Sequence, residues 1–267
     1  MANAPPRIHP TAVIDPAAWL ADDLSVGPYA VIEGPVIVGP GSKIGPHAHL
    51  IGPLRLGRDT AVHTGAVLGD RPQHVKFTGE PTGVVAGNGN VFREHVTVHA
   101  GMLPEGTTLG DNNYIMAAAH VAHDCRLGDG IIMCNGSLLA GHCVIGNGAF
   151  ISGNCATHQF TQVGRLAMLS GGATITRDLP PFLMAEGRNR VVGVNVVGMR
   201  RAGLSNAQIN GVREAYRILF KQGKVLPAAL EQADRALGAT DTVAELLEFV
   251  RGSKRGIILL SGYGTAA

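Results

Sequence analysis

The chain has 267 residues, with 22 Lys and Arg against 20 Asp and Glu, a balance of +2 that disfavours a nucleic-acid binder or an acidic tail. An apolar fraction of 45% excludes a disordered chain. Two numbers stand out: 37 glycines, about twice the usual ~7%, and only 4% aromatic residues.

No stretch approaches the ~18 apolar residues of a membrane span, and residues 1–10 hold no signal-type apolar segment. The expected location is the cytoplasm, with Cys125, Cys134, Cys143 and Cys155 reduced.

In chain order, the first feature is a six-residue repeat. Ile8, Ile14, Leu20, Val26, Ile32, Val38, Ile44, Leu50, Leu56, Val62 and Leu68 are all branched aliphatics. Small residues such as Ala12, Ala18, Ala30, Ala48 and Ala66 follow four places later, and Gly often follows directly. The phase breaks after Leu68, resumes near Val85 and Val91, and breaks again at 102–108. It then runs from Leu109 through Ile115, Val121, Leu127, Met133, Leu139, Ile145, Ile151, Thr157, Val163 and Leu169 to Ile175.

A period of six matches neither an α-helix nor a hairpin meander. It fits one wall of a left-handed parallel β-helix, a triangular prism of 18 residues per coil built from hexapeptide repeats. Large aliphatics fill the axis, small residues pack beside them, and Gly permits close corners. A narrow interior also accounts for the scarce aromatics. Cys125, Cys143 and Cys155 occupy the small inward position, so they read as apolar filler.

Leu179-Pro180-Pro181 ends the repeat. Ser205-Asn206-Ala207-Gln208 is a capping box that opens a helix closing near Gly223. Residues 226–237 give a second helix ending at Gly238, and Asp241 is placed to cap a third. The expected organisation is mainly β: a β-helix over 1–186 and a small C-terminal α-helical domain over 187–267. Exposed apolar prism flanks predict three-fold self-association.

Loops inserted in a regular coil often build sites, so the two phase breaks are candidates. A histidine group outside the inward phase is the third. His120 and His123 flank Val121, and one coil later Gly141 precedes His142, with His158 beyond. A coil of 18 residues places the Gly141 N–H one strand spacing, about 4.8 Å, from His123. A general base with a bare backbone donor one rung above suits acyl transfer: the base takes a hydroxyl proton and the donor meets the developing oxyanion. Asp124 is placed to orient His123 or hold charge beside it. His9, His47, His49, His63 and His99 read as surface residues. On the residues alone, three readings stay open: acyl transfer, a zinc enzyme of carbonic-anhydrase type, and a non-catalytic scaffold.

At these residues the sequence resembles the acyl-carrier-protein-dependent UDP-N-acetylglucosamine O-acyltransferases that start lipid A synthesis. The likeness covers nearly the whole chain. It is carried by Ile8–Ala12, Lys76–Thr82, Ala119–Cys125, Leu139–His142, His158–Phe160, Asp178–Pro181 and Val194-Asn195. The resemblance implies transfer of a 3-hydroxyacyl chain from acyl carrier protein to the glucosamine 3-position, with no cofactor and no metal, in a homotrimer. It assigns His123 as base and Gly141 N–H as oxyanion donor. His120, Asp124, His142, His158 and Gln159 would lie by the sugar or the acyl-pantetheine arm. Gln73, His74 and Lys76 would lie by the sugar nucleotide, and Asn195, Arg200 and Arg201 by the uridine and phosphates.

The resemblance also implies that Gly171 stands at the floor of the acyl groove, where small residues predict a longer chain. His74 replaces the usual Asp and Val197 the usual acidic residue, which leaves a 3-amino acceptor as an alternative. A basic stretch comprising Arg200, Arg201, Arg213, Arg217, Lys221 and Lys224 reads either as a solvated face or as a dock for acyl carrier protein.

Overall fold

The computed structural model describes residues 7–260. Three sheets of 11, 9 and 8 short strands form the walls of a prism. Their pairing is parallel at a spacing of one coil: Arg7 lies beside Ser25, His120 beside Leu138, and Arg126 beside Val144. This is the expected left-handed parallel β-helix, and like positions stack along it.

Inward residues are almost completely removed from water. Ile115, Val121, Met133, Leu139, Ile145 and Ile151 are at most 2% exposed, and each such side chain contributes roughly 1.5–3 kcal/mol. Cys125, Cys143 and Cys155 point inward with them as free thiols. Outside, one corner is tied by a side-chain ladder. The main-chain N–H groups of Asn88, Asp111 and Asp129 donate at 2.7, 2.7 and 3.0 Å to the Oδ1 atoms of Asp111, Asp129 and Asn147, each one coil further on.

The phase after the first break differs from the sequence expectation. Val85 is 49% exposed, whereas Ala86, Phe92 and Val98 are at most 2% exposed. Phe92 stacks between Val62 and Ile115 in one inward column. The interior is therefore wide enough for one aromatic, and the outward valines misplaced the phase by one residue.

The two breaks are insertions into single coils. Ala61 pairs with Val91 and Val91 with Tyr114, so the coil lengthens from 18 residues to 30 and then 23 before returning to 18. Main-chain bonds hold both at their bases: Ala100 N–H to Asp70 O at 2.8 Å, and Thr82 N–H to Gly101 O at 2.9 Å.

The prism ends in an antiparallel hairpin, Leu183–Glu186 with Arg190–Val194. The boundary expected at 186/187 falls in its turn. Helix α1, Val196–Arg201, follows and has no counterpart in the sequence reading. Helix α2, Asn206–Lys221, carries the expected capping box. Helix α3 spans Leu226–Leu237, and α4 spans Asp241–Gly252 with Thr240 rather than Asp241 at its N-cap. Arg165 joins prism to α4 through Glu245 at 2.8 Å while lying over the Phe182 ring. No helix among the described residues is long and apolar enough to cross a membrane.

After α4 the chain returns to the prism at Asp178, which is 1% exposed. Its carboxylate accepts from Gln162 N–H at 2.8 Å and Ser253 Oγ at 2.6 Å. Asp178→Ala orphans both donors, at roughly 1–3 kcal/mol for a buried one. A thermal melt is expected to show a clearly lower Tm; an unchanged Tm would contradict this clamp.

Candidate active site

His123 is 5% exposed and lies on the corner that follows the second sheet. Its Nδ1 is 2.8 Å from Asp124 Oδ2. Adjacent residues meet in this way because Asp124 adopts φ +59°, the left-handed conformation that a turn can impose on Asp. His142 and Phe160, one and two coils on, share it at +61° and +63°. The three side chains therefore stack along one edge.

The second insertion fixes Asp124. The N–H groups of Met102 and Leu103 both donate to its Oδ1 at 2.9 Å, and its own N–H reaches Thr107 Oγ1 at 2.8 Å. Burial pushes the Asp124 carboxyl up. The Leu103 N–H, His123 and the Met102 N–H outweigh it, so the group sits below its ordinary value and stays ionised. An ionised carboxylate on Nδ1 makes Nδ1 the protonated nitrogen of neutral His123 and leaves Nε2 free to accept a proton.

Gly141 lies one rung above, as the 18-residue spacing requires. A Cβ built on it would meet His123 Cε1 at 2.6 Å and Nε2 at 2.7 Å. Gly141 is therefore bare because the imidazole lies across it, a steric reason in addition to the expected chemical one. Among the described residues its N–H has no hydrogen-bond acceptor.

Other rings enclose the dyad. His142 stands edge-on to His123 at 5.0 Å and stacks on Phe160 at 4.4 Å. Burial lowers the His142 pKa, Asp124 opposes that, and His123 and His74 add to the lowering. His74, from the first insertion, meets His123 edge-on at 5.5 Å. His120 is 2.7 Å from Thr97 Oγ1 and contacts the His99 ring. His99, read as a surface residue in sequence, is 4% exposed; its Nδ1 binds the Arg71 carbonyl and so anchors the first insertion. Both phase breaks thus converge on His123.

This chain is similar throughout to enzymes of one kind. It is 46% identical over 255 residues to the acyl-[acyl-carrier-protein]–UDP-N-acetylglucosamine O-acyltransferase of Halorhodospira halophila, covering 94% of this chain and 99% of that one. The enzyme of the same name from Alkalilimnicola ehrlichii is 49% identical over 256 residues, with the same coverage. The chain belongs to this acyltransferase family. A family model described as UDP N-acetylglucosamine O-acyltransferase, domain 2, matches residues 178–258. Among solved structures, the UDP-N-acetylglucosamine acyltransferase of Francisella novicida superposes with a TM-score of 0.91 at 31% identity, over 96% of this chain and 95% of that one. The Bacteroides fragilis enzyme gives 0.90 at 36% identity, over 94% and 99%.

The remaining residues expected in the acyltransferase site fall into two groups. Gln73 and Lys76 are exposed on the first insertion, and His158 and Gln159 are exposed on the coil above Gly141. Gly171 is also exposed, and a Cβ there would have only Gly153 O at 4.0 Å. Asn195 and Arg201 lie by the first sheet rather than on the corner after the second where His123 stands, and Arg200 is exposed on α1. Asn195, Val197 and Arg201 line a cavity of about 620 Å³ against the outer face of the first sheet, with Ile132, Phe150 and Met168. Both ends of the Asn195 amide are already engaged: Oδ1 accepts from Gly198 N–H at 2.9 Å and Nδ2 donates to Leu166 O at 2.8 Å. Its evident work is to cap α1 and tie it to the prism.

The only metal-ligand grouping among the described residues is His123, Asp124 and His142, whose donor atoms lie within 4.8 Å of one another. His123 Nδ1 and Asp124 Oδ2, within that group, are already paired at 2.8 Å.

Burial, with His99 and His123 nearby, lowers the His120 pKa to about 4 from an ordinary 6.5. The folded chain resists a proton that the unfolded chain accepts. This group therefore costs nothing above pH 6.5 and destabilises progressively as pH falls to 4. Tm measured across that window is expected to fall more steeply for the wild type than for His120→Gln; parallel curves would contradict the burial.

Proposed function

We propose that His123 and Gly141 carry the chemistry by which this family member acylates UDP-N-acetylglucosamine in the first step of lipid A biosynthesis. The donor is a 3-hydroxyacyl thioester of acyl carrier protein. The observation that carries the reading is the His123–Asp124 dyad lying across a bare glycine whose N–H is unclaimed.

Nε2 of His123 takes the proton of the glucosamine 3-hydroxyl as that oxygen attacks the thioester carbonyl. The carbonyl oxygen gains the negative charge and the Gly141 N–H donates to it. Collapse re-forms the carbonyl, breaks the C–S bond and returns the proton from His123 to the leaving pantetheine thiolate. Asp124 stabilises the intervening imidazolium without taking its proton. A positioned base accounts for about 10²–10⁴ of the rate and one oxyanion donor for roughly 10²–10³. The protein contributes proton transfer and oxyanion stabilisation to this addition and elimination, and the proposed steps use no metal or cofactor.

Three-fold assembly of prisms is part of the reading. One chain leaves the histidine row and the Asn195–Arg201 cavity on different faces of the prism. A three-fold arrangement sets one chain's face against the next chain's corner and lets both act on one nucleotide sugar. Sedimentation at three times the 27.7 kDa chain mass is the corresponding expectation. The proposed carrier-protein dock lies by a cavity of about 510 Å³ lined by Arg213, Tyr216, Arg217 and Lys221. Four free thiols agree with a reducing, cytoplasmic setting.

The decisive assay offers purified protein a series of acyl-carrier thioesters with the 3-hydroxy and the 3-amino acceptor, with and without a chelator. Acylation of the 3-hydroxy sugar, insensitive to the chelator, is expected, because the proposed steps use only the His123–Asp124 pair and the Gly141 N–H. Stoichiometric zinc with chelator-sensitive activity would overturn the mechanism. Preference for the amine would assign the role of His74, beside the base, to acceptor choice. Gly171→Met, filling open space, is expected to shift the optimum to shorter chains; an unmoved optimum would remove Gly171 from the acyl groove.

A further inference from the structure

The segment after α4 brings one more charged group to the histidine edge. It is held by three main-chain and side-chain bonds to Asp178: Ser253 Oγ at 2.6 Å, Asp178 N–H to Gly256 O at 3.0 Å, and Ile258 N–H to Asp178 O at 2.9 Å. Between these anchors stands Arg255. Its Nε donates to Thr176 O at 3.0 Å and its Nη2 lies 3.2 Å from His158 Nδ1. Neither the repeat nor the catalytic dyad uses this arginine.

His158 Nδ1 faces two opposed demands. The Gln159 carbonyl, 3.1 Å away, would accept a proton from it. The guanidinium can only donate, so it requires a lone pair at the same atom. A protonated Nδ1 would also direct its N–H at a permanent cation. The guanidinium contact therefore prevails: Nδ1 accepts, and the neutral ring carries its proton on Nε2. Without Arg255 the nearer carbonyl would draw the proton to Nδ1 and turn Nε2 into an acceptor.

We propose that Arg255 is a positioning residue that sets the His158 tautomer, so that His158 offers an Nε2–H donor to an oxygen acceptor of the bound substrates. This rests on the reading that His158 faces the substrates. The acceptor class is a carbonyl, hydroxyl or phosphate oxygen, and an N–H group of the ligand would be refused. The helical C-terminal segment thereby acts on the site through a residue 97 positions away in the chain.

The test uses full-length protein labelled with ¹⁵N in the imidazole rings, with His158 signals assigned by their loss in His158→Gln. Long-range proton–nitrogen correlation should show wild-type His158 unprotonated at Nδ1 and protonated at Nε2. Arg255→Gln should move the population toward Nδ1–H, and Arg255→Lys, which retains a cationic donor, should restore the wild-type pattern. Wild-type His158 protonated at Nδ1, or an unaltered spectrum in Arg255→Gln, would overturn the proposal.

In kinetics, Arg255→Gln should raise a substrate KM roughly threefold to tenfold, the worth of one hydrogen bond, with a smaller change in kcat and rescue by Lys. Wild-type KM values in both Arg255→Gln and His158→Gln, with the tautomer as expected, would overturn the substrate contact and leave the tautomer assignment standing.

Discussion

The parallel main-chain register between successive coils is the constraint on which the rest depends. Outside the two insertions, each coil lies on the one before with residue i beneath residue i + 18, as Leu138 lies beside Ala156. Chemistry placed on one rung is therefore delivered to the next at one strand spacing. Asp124, His142 and Phe160 form one edge, and His123 lies beneath Gly141. The imidazole occupies the volume that any side chain at 141 would need. Fold and site thus meet in one geometric fact: the rung that leaves a backbone N–H without an acceptor among the described residues is the rung that the His123 imidazole lies across.

A perfectly regular prism would leave this dyad on a bare corner. The two insertions change that without disturbing the walls, since the register resumes after each. The first carries His74 to the edge of His123 and is pinned by buried His99. The second turns two consecutive N–H groups onto Asp124 and keeps its carboxylate charged despite burial. The site is built where the repeat is broken, and its rigidity is borrowed from coils on either side.

Much of this was legible in the sequence because a period of six is a direct imprint of the wall on the chain. The inward columns, the inward cysteines, the capping box and the His123–Gly141 rung all follow from counting. Counting failed where residue type misrepresents direction: Val85 and Val91 imitate inward aliphatics, while the inward positions hold Ala86 and Phe92. The Asp124 contact with His123 was expected from adjacency, and the left-handed turn at Asp124 supplies the reason that the two neighbours converge, which spacing alone does not show. Contacts between distant segments were invisible for the same reason. His99 reaching back to Arg71, Asn195 tying α1 to Leu166, and Arg255 reaching His158 are set by tertiary packing, which leaves no periodic trace.

The C-terminal helices are more than a cap. Arg165 and Glu245 bind α4 to the prism, and Asp178 draws the last described segment onto the coil beside the histidines. His123 is the proposed base, and its rung position beside the Gly141 N–H is what fits it for that role. The most direct measurement is single-turnover acyl transfer by His123→Gln with both substrates saturating, alongside the Kd for the nucleotide sugar. A base at His123 predicts a chemical step slowed at least ~10²-fold in the variant, with Kd within a few-fold of wild type. A wild-type single-turnover rate in that variant would contradict it.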